Sequence, residues 1–304
     1  MLRTKLFVFI ALLALLGIGM LILRTPAPVT DPETRTSEKL RVVTALYPIQ
    51  FFVQRIGGEY VEVINLTPPG AEPHDYETTA QDLIAIEQSD LLVLNGVLEH
   101  WAENLQTTTP IVTVGKEFLS LELEKGKEVM SDPHVWLDPV LAQRQSSIIA
   151  TKLGELDPEN VLFYQGNAGA LVLELGQLDA MFREGLKTCE RKDFITSHAA
   201  FGYLASRYSL RQVPIAGLSP EEEPSAKQLA EITNFAHENN ATHIFFETLV
   251  SPELSETIAQ EIGAKTLVLN PLEGLTQEEK LNGKSYFTIM QENLTNLRIA
   301  LQCT

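Results

Sequence analysis

The chain contains little cysteine, little histidine and few positive charges for its length. Its 304 residues include two cysteines, six histidines and two tryptophans, and 23 Lys and Arg stand against 40 Asp and Glu. The net charge of −17 argues against a nucleic-acid-binding protein, because such proteins present basic patches to phosphates. With 44% apolar and 21% charged residues, the composition is that of an ordinary globular protein, not a disordered or fibrous one.

One long apolar run, residues 6–23, follows Arg3 and Lys5. A positive start followed by an apolar core is typical of a secretion signal, and the run is near the lower length limit for spanning a bilayer. No clear cleavage site follows, and no cysteine ends the run, which argues against a bacterial lipoprotein anchor. We expect residues 1–38 to be a signal peptide or N-terminal membrane anchor plus a polar linker, with the remainder outside the cytoplasm.

The two cysteines, Cys189 and Cys303, suit an oxidising compartment. An even number of cysteines in such a compartment predicts one disulfide, which would join the start of the second half to the end of the chain. Two unpaired buried thiols are the alternative.

Short apolar runs alternate with amphipathic helical runs from residue 40 onward. The predicted strands are 41–47, 61–67, 90–96 and 110–115 in the first half, and 193–197, 211–218, 242–248 and 264–270 in the second. Strands that alternate with helices predict parallel sheets with helices on their faces. We therefore expect an α/β fold of two lobes, each with a mostly parallel four-stranded sheet.

A long helical run separates the two halves. It covers residues 157–186 and would extend roughly 40 Å at 1.5 Å per residue, which is more than one layer of a small domain needs. We predict a first lobe at 39–156, a linking helix at 157–186 and a second lobe at 187–304.

Polar residues follow several of the predicted strands. His74 follows the second strand, His134 lies beyond the fourth in "SDPHVWLDP", and His198 follows the first strand of the second half; Glu247 and Asn270 also end strands. Ligands of open α/β sheets collect beyond the carboxyl ends of the strands, and three His plus one further position is a known zinc arrangement. The positions therefore indicate a metal site in one crevice.

Each of these residues also has an ordinary structural interpretation. His74 alone fits a solvated loop residue, His198 fits a helix N-terminus, and Asn270 precedes a proline as in many turns. Glu247 is either a surface carboxylate or a partner that orients a ligand. The other histidines, His100, His237 and His243, are expected to be structural or solvated.

Several stretches together resemble a known family, the metal-binding substrate-binding proteins of bacterial ABC importers for zinc and manganese. They are "ALYPIQFFVQRIGG", "PPGAEPHDYE", "DLLVLNGVLEHW", "DPHVWLDP", "FITSHAAFGYLASRYSL", "GLSPEEEPSAKQL" and "LNPLEGL". The resemblance implies two α/β lobes joined by one rigid helix, with the metal in the cleft. It also implies that His74, His134 and His198 are ligands, and that His198 favours Zn²⁺, since manganese members have Glu there.

The chain departs from the family pattern in two places. The usual fourth ligand is an Asp before "PL", and here that position holds Asn270, which offers only a neutral carbonyl oxygen. The resemblance thus leaves the fourth ligand as Asn270, a water or Glu247. The loop before His134 is short and contains no histidine, so a metal-collecting role is not expected for it.

The expected function is that of a binding protein and not an enzyme. The resemblance implies an extracytoplasmic monomer that captures Zn²⁺ and delivers it to an ABC permease, with membrane contact only if the N-terminal segment is uncleaved. A manganese or iron carrier of the same fold is one alternative. A three-His zinc hydrolase with Glu247 as general base is another, although the chain has no HExxH or GxSxG motif. Cell adhesion, attributed to some family members, is neither supported nor excluded.

Overall fold

The computed structural model describes residues 39–125 and 128–304. The strands are β1 (Leu40–Thr44), β2 (Val61–Asn65), β3 (Leu91–Leu94), β4 (Ile111–Thr113), β5 (Glu122–Lys125), β6 (Glu128–Ser131), β7 (Asp193–Thr196), β8 (Arg211–Pro214), β9 (His243–Phe246) and β10 (Lys265–Val268). The α-helices are α1 (Tyr47–Gly57), α2 (Ala80–Glu87), α3 (Pro139–Leu156), α4 (Val161–Gly185), α5 (Gly202–Arg207), α6 (Ala226–Glu238), α7 (Glu253–Ile262), α8 (Gln277–Leu281) and α9 (Tyr286–Ala300).

Two parallel four-stranded sheets form the two lobes. Their strand orders are β2-β1-β3-β4 and β10-β9-β7-β8, and every pairing within them is parallel. The inner strand β3 reads Leu-Leu-Val-Leu and is buried throughout, as expected where helices cover both faces of a sheet. The predicted α/β fold with one mostly parallel sheet in each lobe is confirmed.

The long helix α4 joins the lobes. At 1.5 Å per residue its 25 residues extend about 37 Å. It buries Leu171, Leu175 and Phe182 along one side and packs against α1 and α3 of the first lobe and α9 of the second. Its start differs from the sequence expectation, because Asp157 begins a 3₁₀ turn and the α-helix itself starts at Val161.

A short antiparallel hairpin, β5–β6, was not predicted. Leu123 pairs with Met130 across it, and among the described strands it pairs with no member of either sheet. The segment before it contacts the second lobe, since the backbone N–H of Ser120 donates to the Tyr203 hydroxyl at 3.0 Å. The chain leaves β6 one residue before Asp132 and enters the loop that carries His134.

The disulfide between Cys189 and Cys303 is present, which confirms the predicted pairing and excludes two free thiols. The two residues also form an isolated antiparallel bridge. The bond thus ties the segment before β7 to the segment after α9, at the amino-terminal edge of the second sheet.

Membrane contact was predicted only for the N-terminal segment. That apolar run, residues 6–23, and the linker after it lie outside the described residues. Within 39–125 and 128–304, none of the helices combines the length and the apolar content required to cross a bilayer.

Candidate metal centre

Four side chains from distant parts of the chain converge in the cleft between the lobes. They are His74, His134, His198 and Glu273, whose ligand-type atoms all lie within 4.8 Å of one another. The centroids of the three imidazole rings are 5.3, 5.4 and 5.8 Å apart. This is the only such cluster of His, Cys, Asp and Glu found in the described part of the chain. The structure therefore brings together the three histidines that the sequence singled out.

The Glu273 carboxylate lies at the centre of the cluster. Its Oε1 is 2.8 Å from His134 Nε2, 3.1 Å from His74 Nε2 and 3.4 Å from His198 Nε2. The residue is 1% exposed, and its Oε2 has no hydrogen-bond partner among the described residues. Three imidazole nitrogens and one carboxylate oxygen are ligand types that zinc accepts in a four-coordinate site.

His74 lies in the loop after β2, and contacts with the second lobe hold this loop. Gly70 has a φ of +88°, a conformation that favours glycine, and its N–H donates to the Leu275 carbonyl at 2.9 Å. The Glu72 carboxylate accepts from the His74 N–H at 3.1 Å. One backbone bond across the cleft and one side-chain bond within the loop thus position the His74 segment.

His134 begins the 3₁₀ turn that leads into α3. Asp132 Oδ1 lies 2.7 Å from His134 Nδ1 and accepts from the His134 N–H at 2.9 Å. The preceding carbonyl, that of Pro133, accepts from the buried Asn95 side chain at 2.8 Å. With Nδ1–H donated to a carboxylate, Nε2 is the nitrogen left for the centre of the cluster.

His198 follows β7 and is oriented in the same way. Glu247 Oε1 lies 2.5 Å from its Nδ1 and also accepts from the Ser197 hydroxyl. The His198 carbonyl accepts from the Thr196 hydroxyl at 2.7 Å. Of the two roles considered for Glu247, the structure places it as the orienting partner of an imidazole.

The carboxylates in the cluster shift the pKa values of the imidazoles. Burial alone would lower the pKa of His134, but Asp132 and Glu273 outweigh burial and raise it. For His198 the carboxylates of Glu247 and Glu273 likewise outweigh burial, and its pKa lies well above the usual 6.5. Burial would raise the pKa of Glu273, but the surrounding imidazoles hold it well below 4.5. Without metal, the carboxylates therefore favour the protonated forms of His134 and His198, and the imidazoles favour the ionised form of Glu273.

Asn270 does not join the cluster, which differs from the expectation. Its Oδ1 accepts from the Leu272 N–H at 2.7 Å, and its Nδ2 donates to Thr248 Oγ1 and Glu279 Oε1, each at 3.0 Å. Its backbone N–H donates to the Asn293 side chain. The amide is thus fully used in holding the turn after β10.

Glu273 takes the position expected for Asn270, and the turn explains why. Leu272, four residues after β10 ends, has a φ of +63°, and the Asn270 side chain accepts from its N–H, so the chain turns at this point. Glu273 comes directly after this reversal and points back to the histidines. The available sequence signal was its position: it is the only acidic residue in "LNPLEGL".

Direct bonds tie the ligand loops of the two lobes together. Trp136, two residues after His134, donates from Nε1 to the Pro271 carbonyl at 2.8 Å. The Tyr286 hydroxyl donates to the Trp136 carbonyl at 2.6 Å. Both rings are fully buried. The loops of His134 and Glu273 are therefore held at a set separation by protein contacts alone.

The remaining histidines lie elsewhere. His100 is exposed, 3.8 Å from Glu103 Oε1, and His237 is exposed near the end of α6. His243 Nδ1 lies 3.0 Å from the Thr242 hydroxyl at the start of β9. None belongs to the cluster, in agreement with the structural or solvated roles expected for them.

Comparison of the sequence with those of known proteins identifies a family. The sequence profile of the family described as "zinc-uptake complex component A, periplasmic" (ZnuA) matches residues 42–300. The "high-affinity zinc uptake system protein ZnuA" of Bacillus subtilis is 42% identical over 284 residues, with 87% of this chain and 88% of that protein covered. The "zinc-binding lipoprotein AdcA" of Streptococcus pneumoniae is 38% identical, and this chain spans only 56% of its length.

Solved structures show the same architecture. The laminin-binding protein Lmb of Streptococcus agalactiae, described as bifunctional with adhesin and metal-transporting activity, superposes with a TM-score of 0.79 at 36% identity, covering 87% of this chain and all of that one. The Zn(II)-bound ZnuA-like domain of Streptococcus pneumoniae AdcA superposes with a TM-score of 0.76 at 38% identity, covering 86% of this chain and 99% of that domain.

Proposed function

Because this chain belongs to the zinc-uptake component A family, we propose that it captures Zn²⁺ outside the cytoplasm and delivers it to an ABC permease. The observation that carries the proposal is the buried cluster of three histidines and Glu273 in the interlobe cleft. These four side chains are the proposed ligands. Asp132 and Glu247 are the proposed orienting partners of His134 and His198.

The donor set favours zinc over manganese or iron. Imidazole nitrogens suit Zn²⁺, whereas Mn²⁺ prefers carboxylate, carbonyl and water oxygens. Three of the four proposed ligand atoms are imidazole nitrogens, and only one, from Glu273, is an oxygen. A manganese carrier would be expected to replace His198 with an oxygen ligand.

The same geometry supports a binding protein over a hydrolase. A catalytic zinc site keeps one position open for water, and here the Glu273 carboxylate fills that position. Glu247, the candidate general base, uses Oε1 to accept from His198 Nδ1–H and from the Ser197 hydroxyl, which supports a role as an orienting partner. Zinc-loaded protein should therefore hydrolyse an activated ester no faster than the His198→Ala variant does.

The proposal also includes the oligomeric state, the lobe boundaries, the role of the N-terminal segment and the location of the protein. We take it to act as a monomer with lobes at 39–156 and 187–304, joined through residues 157–186. The N-terminal segment would serve as signal or anchor. The periplasmic and lipoprotein descriptions of its relatives support an extracytoplasmic location.

A competition titration tests the proposal. The purified protein is titrated with a zinc-sensitive chelating dye and then challenged with Mn²⁺. We expect one zinc per chain, and a loss of affinity in His198→Ala greater than the roughly 10–100-fold typical of losing an outer-shell partner. The matched control is His100→Ala, since His100 is exposed and outside the cluster. Tighter binding of Mn²⁺ than of Zn²⁺ would reject the assigned metal, and no binding of either would reject the function.

A further inference from the structure

A cavity lies near the His198 loop, and none of the four residues of the metal cluster lines it. It has a volume of about 610 Å³, within the range of known ligand pockets. Its apolar walls are Leu123 and Met130 of the β5–β6 hairpin and Val213, Ile215, Ile232 and Phe235 of the second lobe. The cavity is therefore lined by both halves of the chain.

The cavity lies at the edge of the second sheet from which the His198 loop emerges. Val213 and Ile215 belong to the end of β8 and the loop after it, and β8 is the direct neighbour of β7, which leads into His198. The carboxyl ends of parallel strands meet at one edge. The cavity wall also bonds to the ligand loop, because the Ala199 N–H donates to the Gly217 carbonyl at 2.7 Å. A molecule in this cavity would lie against Gly217, whose carbonyl accepts from Ala199, the residue directly after His198.

The rim of the cavity is acidic. Glu223 and Glu231 line the cavity, whereas Glu222, which has a partner of its own, lies so close to Gly217 that a Cβ there would be 2.5 Å from its Oε2. The Glu231 side chain is 62% exposed and lies 3.6 Å from Lys227 Nζ, a surface pair of the kind that contributes little. The stretch "SPEEEPS", which the metal cluster does not use, thus places carboxylates around an apolar interior.

We propose that this cavity is a docking site for a loop of the ABC permease that presents an apolar side chain flanked by Lys or Arg. The inference rests on the proposed function. The apolar walls accept the side chain, and the carboxylates of the rim attract its cationic neighbours, which is the complementarity typical of specific association. A partner seated here contacts both lobes beside the cluster, on the strand that leads directly to Asp132 and His134.

The first test probes the cavity itself with n-octylammonium, a cation with an apolar tail. Among the methionines of the described residues, Met130 lines the cavity, whereas Met181 is exposed on α4 and Met290 is buried in the core. In protein labelled with ¹³C at the methionine methyl groups, n-octylammonium should shift the Met130 signal and leave Met181 unchanged, and n-octyl sulfate should shift neither. An unshifted Met130, or equal shifts at Met130 and Met181, overturns the proposal.

The second test uses variants in zinc uptake by proteoliposomes that contain the source organism's zinc permease and ATP. Glu231→Trp adds a ring at the cavity wall and removes one carboxylate, and Glu238→Trp makes the same change at the exposed end of α6. Glu231→Trp should raise the protein concentration that gives half-maximal uptake about tenfold, the effect expected for loss of an interface anchor. The zinc affinity of this variant should be unchanged. Glu238→Trp should behave as the unaltered protein.

A charge pair separates electrostatic from steric effects. Glu223→Lys with Glu231→Lys should weaken both octylammonium binding and uptake, whereas Glu238→Lys with Glu261→Lys, which makes the same net change on exposed helical positions, should not. Uptake at the unaltered level by both cavity variants overturns the docking site alone. If the unaltered protein drives no zinc uptake, the proposed function itself fails.

Discussion

Replacing Glu247 with Gln would separate the charge of an orienting group from its geometry. The Gln side chain has the same shape, and its Oε1 can still accept from the His198 Nδ1–H and from the Ser197 hydroxyl. The negative charge is lost, however, and His198 becomes a weaker base. Changes to such outer-shell partners reduce metal affinity roughly 10–100-fold, or about 1.4–2.7 kcal/mol. We expect a loss of zinc affinity in this range at pH 8.

The pH dependence gives this variant a second signature. Glu247 and Glu273 outweigh burial and raise the pKa of His198, so protons compete with Zn²⁺ for this imidazole up to a pH well above 6.5. Without the charge on Glu247, the pKa of His198 falls and the competition begins at a lower pH. The zinc affinity of the variant should therefore fall less steeply on acidification, and its deficit should shrink between pH 8 and pH 6.

Chelator-competition titrations at several pH values measure both effects. The matched control is Glu256→Gln on α7, which removes the same charge from an exposed position. Equal affinities of the variant and the unaltered protein at pH 8 would refute the assigned tuning role. A deficit that stays constant with pH would show that the charge of Glu247 acts on some group other than the His198 proton.

Three further predictions follow from the structure. Replacing Cys189 and Cys303 with Ser should lower the free energy of unfolding by about 5 kcal/mol, given the sequence separation of 114, with little change in zinc affinity; urea titration measures it. Gly202→Ala should weaken zinc binding, because the new Cβ would lie 2.7 Å from Asp132 Oδ2 and displace the carboxylate; a chelator titration that finds full affinity would contradict this. In the metal-free protein, carboxylates outweigh burial and raise the pKa of His198, so its contribution to stability is complete below pH 6.5 and is lost as pH rises through the raised value, whereas zinc binding strengthens. Calorimetry should therefore find a zinc-induced rise in Tm that grows from pH 6 to pH 8.

The alternation of strands and helices was enough to predict the architecture. Strands such as β3 are continuous apolar runs and helices such as α3 begin at clear caps, where Asp138 Oδ1 accepts from the Val140 N–H at 2.7 Å. Because ligands gather at the carboxyl ends of parallel strands, strand assignment put His74, His134 and His198 on loops compatible with one crevice. Their role as metal ligands came from the resemblance to the zinc and manganese importer family, because such long-range spacing has little specificity by itself.

Glu273 and the β5–β6 hairpin depend on geometry that no local pattern records. The fourth position was assigned by counting from "PL", but whether Asn270 or Glu273 reaches the histidines depends on the positive φ of Leu272 and on the partners of the Asn270 amide. The hairpin strands Glu122–Lys125 and Glu128–Ser131 have only four residues each and are rich in Glu, so they are shorter and more charged than the apolar runs that predict the sheet strands.

The bonds between the lobes bear on how metal could leave the site. Trp136 ties the His134 loop to the loop of Glu273 through Pro271, and Tyr286 ties the His134 loop to α9. The Gly70–Leu275 backbone bond ties the His74 loop to the Glu273 segment. The hydrogen bonds of His198 to described residues, in contrast, run to Glu247, Thr196 and Gln212 of its own lobe, and only ring contacts join it to His74 and His134. Opening the site by separating whole lobes would break the buried cross-lobe bonds, each costing roughly 1–3 kcal/mol if its groups stay dry. Moving the His198 loop breaks none of them. Release of the metal therefore costs less free energy through movement of the His198 loop. Ala199, the residue after His198, is hydrogen-bonded to the wall of the proposed docking cavity.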